Sequence, residues 1–170
     1  MLSFNVNTTY SSKNGTEFQL THVVSDDCPM ILSMIQELAE FEKMASQVLM
    51  TVDKLKDDLK RNAFYGIIAK TRDCEGRMVP AGMNIYYLAY STWEGQFVHM
   101  EDLYIRKQFR QMGLGQILIN ELITICKNTQ ISRIEWAVLG WNTNAIDLYK
   151  KIGGVDMNAA EDWIKYRLSI

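Results

Sequence analysis

The stretch from Gln96 to Leu139 constrains the fold more than any other part of the chain. It reads as a strand over Gln96–Ile105, a short loop, an amphipathic helix over Gly113–Lys127 and a second strand over Arg133–Leu139. The helix gathers Leu114, Ile117, Leu118, Leu122, Ile125 and Cys126 on one face at helical spacing. Two strands joined through a helix tend to lie parallel in one sheet.

The rest of the chain adds elements to that sheet. Phe18–Val24 reads as a first strand. Asp26 or Asp27 caps a helix with Pro29 in its first turn, and Ile31, Met34, Ile35, Leu38 and Phe41 fall at helical spacing after it. Thr51 opens a short helix through about Leu59. Phe64–Lys70 and Val79–Ala89 are strands, the latter joined to Gln96–Ile105 across Trp93-Glu94-Gly95. Asn142–Lys151 is a helix stopped by Gly153 and Gly154, and Trp163–Leu168 is a last strand. The order β-α-α-β-β-β-α-β-α-β defines a mixed α/β (α+β) fold, a central mixed sheet with helices on both faces.

Composition narrows the function classes. The chain has 170 residues, 48% of them hydrophobic, enough for one domain with one core. The expectation is a single domain over 16–170 behind a loosely attached tail over 1–15. The net charge is -2 and no basic stripe is present, which argues against a nucleic-acid partner. The apolar runs are too short to span a bilayer, and the start lacks a signal-peptide pattern. Cys28, Cys74 and Cys126 form no paired motif, consistent with reduced thiols in a cytoplasmic protein. The sequons at Asn7 and Asn14 are then unused.

The loop Arg110-Gln111-Met112-Gly113-Leu114-Gly115 carries the first chemical signal. A helix start offers unpaired N–H groups and a partial positive charge, and a pyrophosphate is bound there without many side chains. Gly113 and Gly115 let phosphates approach the backbone, and Arg110 adds a charge. A glycine pair before a helix is equally compatible with an ordinary loop. The third glycine of a dinucleotide fingerprint and the Gly-Lys-Ser/Thr of a Walker loop are both absent.

Arg110-x-x-Gly113-x-Gly115 resembles the coenzyme A signature of the GNAT acetyltransferase superfamily. Trp141-Asn142-Thr143-Asn144-Ala145-Ile146-Asp147-Leu148-Tyr149-Lys150-Lys151-Ile152-Gly153 resembles that family's second motif, in the expected order. The resemblance implies the GNAT fold, acetyl-CoA as cosubstrate and no metal. It implies a V-shaped gap between the strand ending near Ile105 and the one ending near Leu139. The backbone of Leu103, Tyr104 and Ile105 would pair with the pantetheine arm. Arg110, Gln111, Met112, Gly113, Leu114, Gly115 and Gln116 would hold the pyrophosphate, Asn142 at the start of the next helix would cap that helix or touch the cofactor, and Ala145 would complete the cofactor contacts. Tyr149 would protonate the departing thiolate, although Ile146, Tyr149 and Ile152 share a helix face that could simply pack. Gln111 stands where many relatives carry glycine.

The matching stretches Ile35–Lys43, Met100–Ile105 and Trp141–Tyr149 are similar to the diamine acetyltransferase branch, the spermidine/spermine N-acetyltransferase group. Phe41, Glu42, Trp93, Glu101, Asp102 and Glu161 would then contact a cationic amine. Glu101 and Asp102, adjacent on a strand, are expected on opposite faces. Ser91 stands where the polyamine type carries an acid, and the chain looks closer to the thialysine type. A polyamine acetyltransferase, a protein acetyltransferase and a coenzyme A-binding module without catalysis remain alternatives. Relatives of the branch are homodimers, so Asp156–Ile170 is a candidate interface with Glu161 completing a site across it.

Overall fold

The computed structural model describes residues 6–162 and 166–168. The chain divides into two compact units, Met1–Trp136 and Ala137–Ile170. The first holds a six-stranded sheet in the order β1 (Asn7–Ser11), β2 (Glu17–His22), β3 (Tyr65–Arg72), β4 (Met78–Ser91), β5 (Gly95–Ile105) and β6 (Ile134–Trp136). All neighbours are antiparallel except β5 and β6, which are parallel across the crossover helix α3 (Leu114–Asn128). The mixed sheet, with helices on both faces, is the fold class expected from the element order.

One face of the sheet packs against α1 (Cys28–Phe41) and α2 (Val52–Lys60). Ile68, Met83, Ile85 and Tyr104 of the strands meet Ile31, Met34 and Leu55 of these helices there. Side chains alternate along a strand, so Asn84 and Tyr86 face the other way. Asn84 Nδ2 donates to the Leu118 carbonyl of α3 at 3.3 Å. Leu114, Leu118, Ile119, Leu122, Ile125 and Cys126 are the buried side of that helix.

Three expectations change. Asn7–Ser11 is an edge strand paired to β2, not a loose tail. Its polar side chains give no apolar alternation, but ladder hydrogen bonds to β2 and the stacking of Tyr10 on Phe18 at 6.2 Å hold it. Asp27 does not cap α1 with its side chain. Its Oδ2 accepts from the Val24 N–H at 3.0 Å and its Oδ1 pairs with Lys70, an ion pair with the carboxylate buried. The strand expected over Arg133–Leu139 is only Ile134–Trp136. Its last partner on β5 is Met100, and the next residue, Glu101, leaves the ladder.

The second unit carries α4 (Thr143–Lys151) and α5 (Met157–Glu161). The expected strand over Trp163–Leu168 falls partly on residues 163–165, outside the described residues, and Tyr166–Leu168 has no regular structure.

Candidate active site

The site begins with a one-residue defect in β5. Ile85 pairs with Asp102 and Tyr86 with Met100, so Glu101 is an extra residue, a β-bulge. Tyr87 pairs with His99. Tyr87 and Ile85 share a face of β4, so His99 and Asp102 share that face of β5 although three residues apart. Glu101 joins them, since its Oε2 lies 3.6 Å from His99 Nε2. Glu101 and Asp102 therefore do not take opposite faces as their adjacency implied. Both turn to the α1 side, because the bulge breaks the alternation.

Glu42, at the end of α1, completes this group of acids. Burial and the neighbouring charges of Glu101 and Glu42 push the Asp102 carboxyl up to about 6. Burial also pushes Glu42 up. The ring of Tyr87 stacks on His99 at 5.0 Å, and burial with the Glu101 charge pushes its phenol up. Carboxylates grouped in this way, Glu42 and Asp102 half-buried and Glu101 exposed, lower the free energy of a cation placed among them. No group of acids, histidines and cysteines suited to a metal occurs among the described residues.

Beyond the bulge, β5 runs on from Asp102 to Ile105 beside β4 alone, because its pairing with β6 stops at Met100. The edge of Leu103, Tyr104 and Ile105 away from β4 has no strand partner among the described residues. Arg110 closes its far end. Its Nε donates to the Ile105 carbonyl at 2.9 Å, and its guanidinium lies over the Phe41 ring at 5.2 Å and the Tyr104 ring at 5.7 Å. Arg110 thus links the loop to Phe41 and, through it, to Glu42.

The loop itself has two left-handed residues, Gln111 with φ +63° and Gly113 with φ +83°. Gln111, expected to put the backbone path of the loop in question, takes the left-handed region with a side chain, at a cost of roughly 1–2 kcal/mol. Gly113 is the N-cap of α3 and brings no side-chain cap, and the first turn, Leu114, Gly115 and Gln116, holds no acid. The N–H groups of such a start have no partner within the helix, and the dipole there is uncompensated.

In the second unit Asn142 Oδ1 accepts from the Ala145 N–H at 3.3 Å and so caps α4. Tyr149 is half-buried on that helix, with Ile146 and Ile152. Glu161 ends α5, exposed.

The structure thus brings together Phe41, Glu42, Glu101, Asp102, Tyr104 and Arg110. It leaves Trp93 outside this group in the same chain. Trp93 is exposed at the tip of the β4–β5 turn, where Ser91 Oγ accepts from the Trp93 and Glu94 N–H groups. Asp102 lies seven residues up β5 from Gly95, about 23 Å at ordinary strand rise. Sequence reasoning missed four groups. His99 and Tyr87 are recognisable only once the register is known. Glu37 accepts from Arg106 Nε at 3.1 Å and Nη2 at 2.6 Å and from the Tyr104 hydroxyl at 3.2 Å, clamping the end of β5 to α1. Tyr10 donates to the Met112 carbonyl at 2.8 Å across 102 residues. A polar edge strand offers no local signal for such a contact.

A strand edge unpaired among the described residues thus stands in the same unit as a helix start open to an anion. Residues 31–154 match the acetyltransferase (GNAT) family, so the chain belongs to that family and is an acetyltransferase. It is 47% identical over 151 residues to a thialysine N-epsilon-acetyltransferase of Caenorhabditis elegans, covering 89% of this chain and 91% of that one. It is 32% identical over 157 residues to the human spermidine/spermine N(1)-acetyltransferase-like protein 1, covering 89% of this chain and 22% of that one. Both relatives fall in the branch that the sequence resembled. Among solved structures, an aminoglycoside acetyltransferase from an uncultured soil metagenomic sample superposes with TM-score 0.69 at 16% identity, covering 90% of this chain and 95% of that one, a likeness of fold.

Proposed function

We propose that this chain transfers the acetyl group of acetyl-CoA to the primary amine of a small cation of the thialysine type. The observation that carries the reading is the pairing of two unlike sites in one unit. The acids Glu42, Glu101 and Asp102 suit an ammonium, and the uncapped start of α3 suits a pyrophosphate. Arg110, Gln111, Met112, Gly113, Leu114, Gly115 and Gln116 cradle the phosphates, and the open edge of Leu103, Tyr104 and Ile105 pairs with the pantetheine arm. Asn142 and Ala145 complete the donor site.

The acceptor arrives as an ammonium, with only about one part in a thousand as free amine near neutral pH. Asp102 and Glu101 draw in the cation, and its proton leaves to a carboxylate through water. The amine nitrogen then attacks the thioester carbon. As the C–S bond breaks, the Tyr149 hydroxyl gives its proton to the thiolate, and the second proton shed by the nitrogen as the amide forms returns through water to the phenolate. The side-chain sulfur of thialysine makes its amine more acidic than that of lysine, so more of it is nucleophilic at a given pH. Phe41 packs against the substrate chain. Trp93 and Glu161 contribute in a cytoplasmic homodimer built through Asp156–Ile170.

A second reading, polyamine acetylation, is favoured by the number of acids, which suits a ligand of more than one charge. Purified protein with acetyl-CoA is offered thialysine, lysine, putrescine and spermidine, with products read by mass spectrometry and released thiol. Thialysine is expected to give the highest kcat/KM. A spermidine preference selects the second reading, and no thiol release with any amine rejects catalysis in favour of simple coenzyme A binding. Tyr149→Phe is expected to lower kcat by about 10²-fold or more with acetyl-CoA affinity retained.

A further inference from the structure

The edge strand β1 reaches the donor loop through one side chain. Tyr10 Oη donates to the Met112 carbonyl at 2.8 Å. A Cβ added at Gly113 would lie 2.7 Å from the same hydroxyl. The ring is held from behind, stacked on Phe18 at 6.2 Å, and Phe18 in turn meets Phe109 edge-on at 5.8 Å, one residue before the loop. The hydroxyl is therefore a fixed point against which the loop is set.

That contact falls on the peptide whose orientation matters most. In a trans peptide the carbonyl and the following N–H point in opposite directions. Drawing the Met112 carbonyl toward β1 turns the Gly113 N–H away from β1. Left-handed residues lie on either side of Met112, and Gly113 is free of Cβ strain, so this peptide can rotate at low cost in the absence of a restraint. We propose that Tyr10 is a positioning residue for donor binding. It holds the Met112–Gly113 peptide in the one orientation that adds the Gly113 N–H to those at the start of α3. This rests on the reading of the loop as the pyrophosphate site of acetyl-CoA.

The test is Tyr10→Phe, which removes the hydroxyl and keeps the ring stack, assayed with acetyl-CoA and with S-acetylpantetheine, a donor without the pyrophosphate. The expected result is a Kd and KM for acetyl-CoA raised about 3–10-fold, the worth of one hydrogen bond, with kcat at saturation within about twofold. The kcat/KM for S-acetylpantetheine is expected to be unchanged. Equal losses with both donors, or an unchanged Kd for acetyl-CoA, overturn the proposal. Thr51→Ala separates loss of fold from loss of positioning. It removes the cap of α2, which does not touch the loop, and it must lower the melting temperature without producing the donor split. Wild-type protein that binds acetyl-CoA no better than S-acetylpantetheine refutes the pyrophosphate reading itself, and Tyr10 with it.

Discussion

Two helices of the sheet-bearing unit begin in opposite ways. At α2, Thr51 Oγ1 accepts from the Lys54 N–H at 3.2 Å, and Asp53 stands in the first turn. At α3, the N-cap is a left-handed glycine with no side-chain cap, and the first turn contains no acid. The first helix satisfies one of its first-turn donors with its own cap and offsets its own dipole. The second leaves both to something that is not part of the helix. A start so arranged gives up about 1 kcal/mol of local stability, which a bound anion can restore.

The largest expected effect comes from making α3 begin like an ordinary helix. Gly113→Ala forces a side chain into φ +83° and against the Tyr10 hydroxyl. The left-handed penalty and the lost Tyr10 contact together are worth on the order of 2–3 kcal/mol. Isothermal titration should find acetyl-CoA bound about 30–100-fold more weakly, and near-normal affinity would show that the loop conformation is not what binds it.

Carboxylates extend the contrast. Asp53 is an exposed acid beside a helix start, whereas Asp102 is sunk beside two like charges. Well below pH 4, Asp102 is protonated both folded and unfolded. As pH rises from about 4 to 6 the unfolded chain gives up that proton while the folded one keeps it, so stability falls. Above about 6 the penalty is complete. Asp102→Asn should therefore stabilise the fold by on the order of 2–3 kcal/mol at pH 8, with most of the gain lost by about pH 4 and all of it well below that in thermal melts. A gain independent of pH would mean that the carboxyl is not held neutral by its surroundings.

Smaller effects are expected within the first turns of the two helices. Gln116→Glu places an acid in the first turn of α3, as Asp53 is placed in α2. Acetyl-CoA affinity should fall about 3–10-fold while the melting temperature holds or rises slightly. Thr51→Ala removes the cap of α2, costs about 1 kcal/mol and lowers the melting temperature by about 2–4 °C. Donor affinity should not change, and a loss there would remove the distinction between the two helix starts.

What could be read from the sequence was local. The α3 face from Leu114 to Cys126 follows from spacing alone, and the loop before it follows from two glycines. The cap of α4 by Asn142 is likewise visible within four residues. What was hidden depended on partners distant in sequence. Asp27 looks like a helix cap until Lys70 is beside it. The polar strand Asn7–Ser11 has no pattern until β2 supplies its ladder. Arg106 and Glu37 are 69 residues apart and carry no mark of belonging together. The common face of Glu101 and Asp102 is a property of the register between β4 and β5, which neither strand specifies alone.

Glu101 is also the residue of β5 that the sheet could most readily lose. Deleting it would leave Met100 opposite Tyr86 and Asp102 opposite Ile85, with Tyr104 still opposite Met83. The ladder would close into regular pairing. Deleting Leu103 instead would absorb the bulge by moving Asp102 opposite Asn84, driving a carboxylate into the apolar face beneath α3. Shortening the strand at one place costs the sheet nothing in register, and at a place two residues away it inverts the site. The extra residue is thus an insertion whose effect falls on the site and not on the pairing.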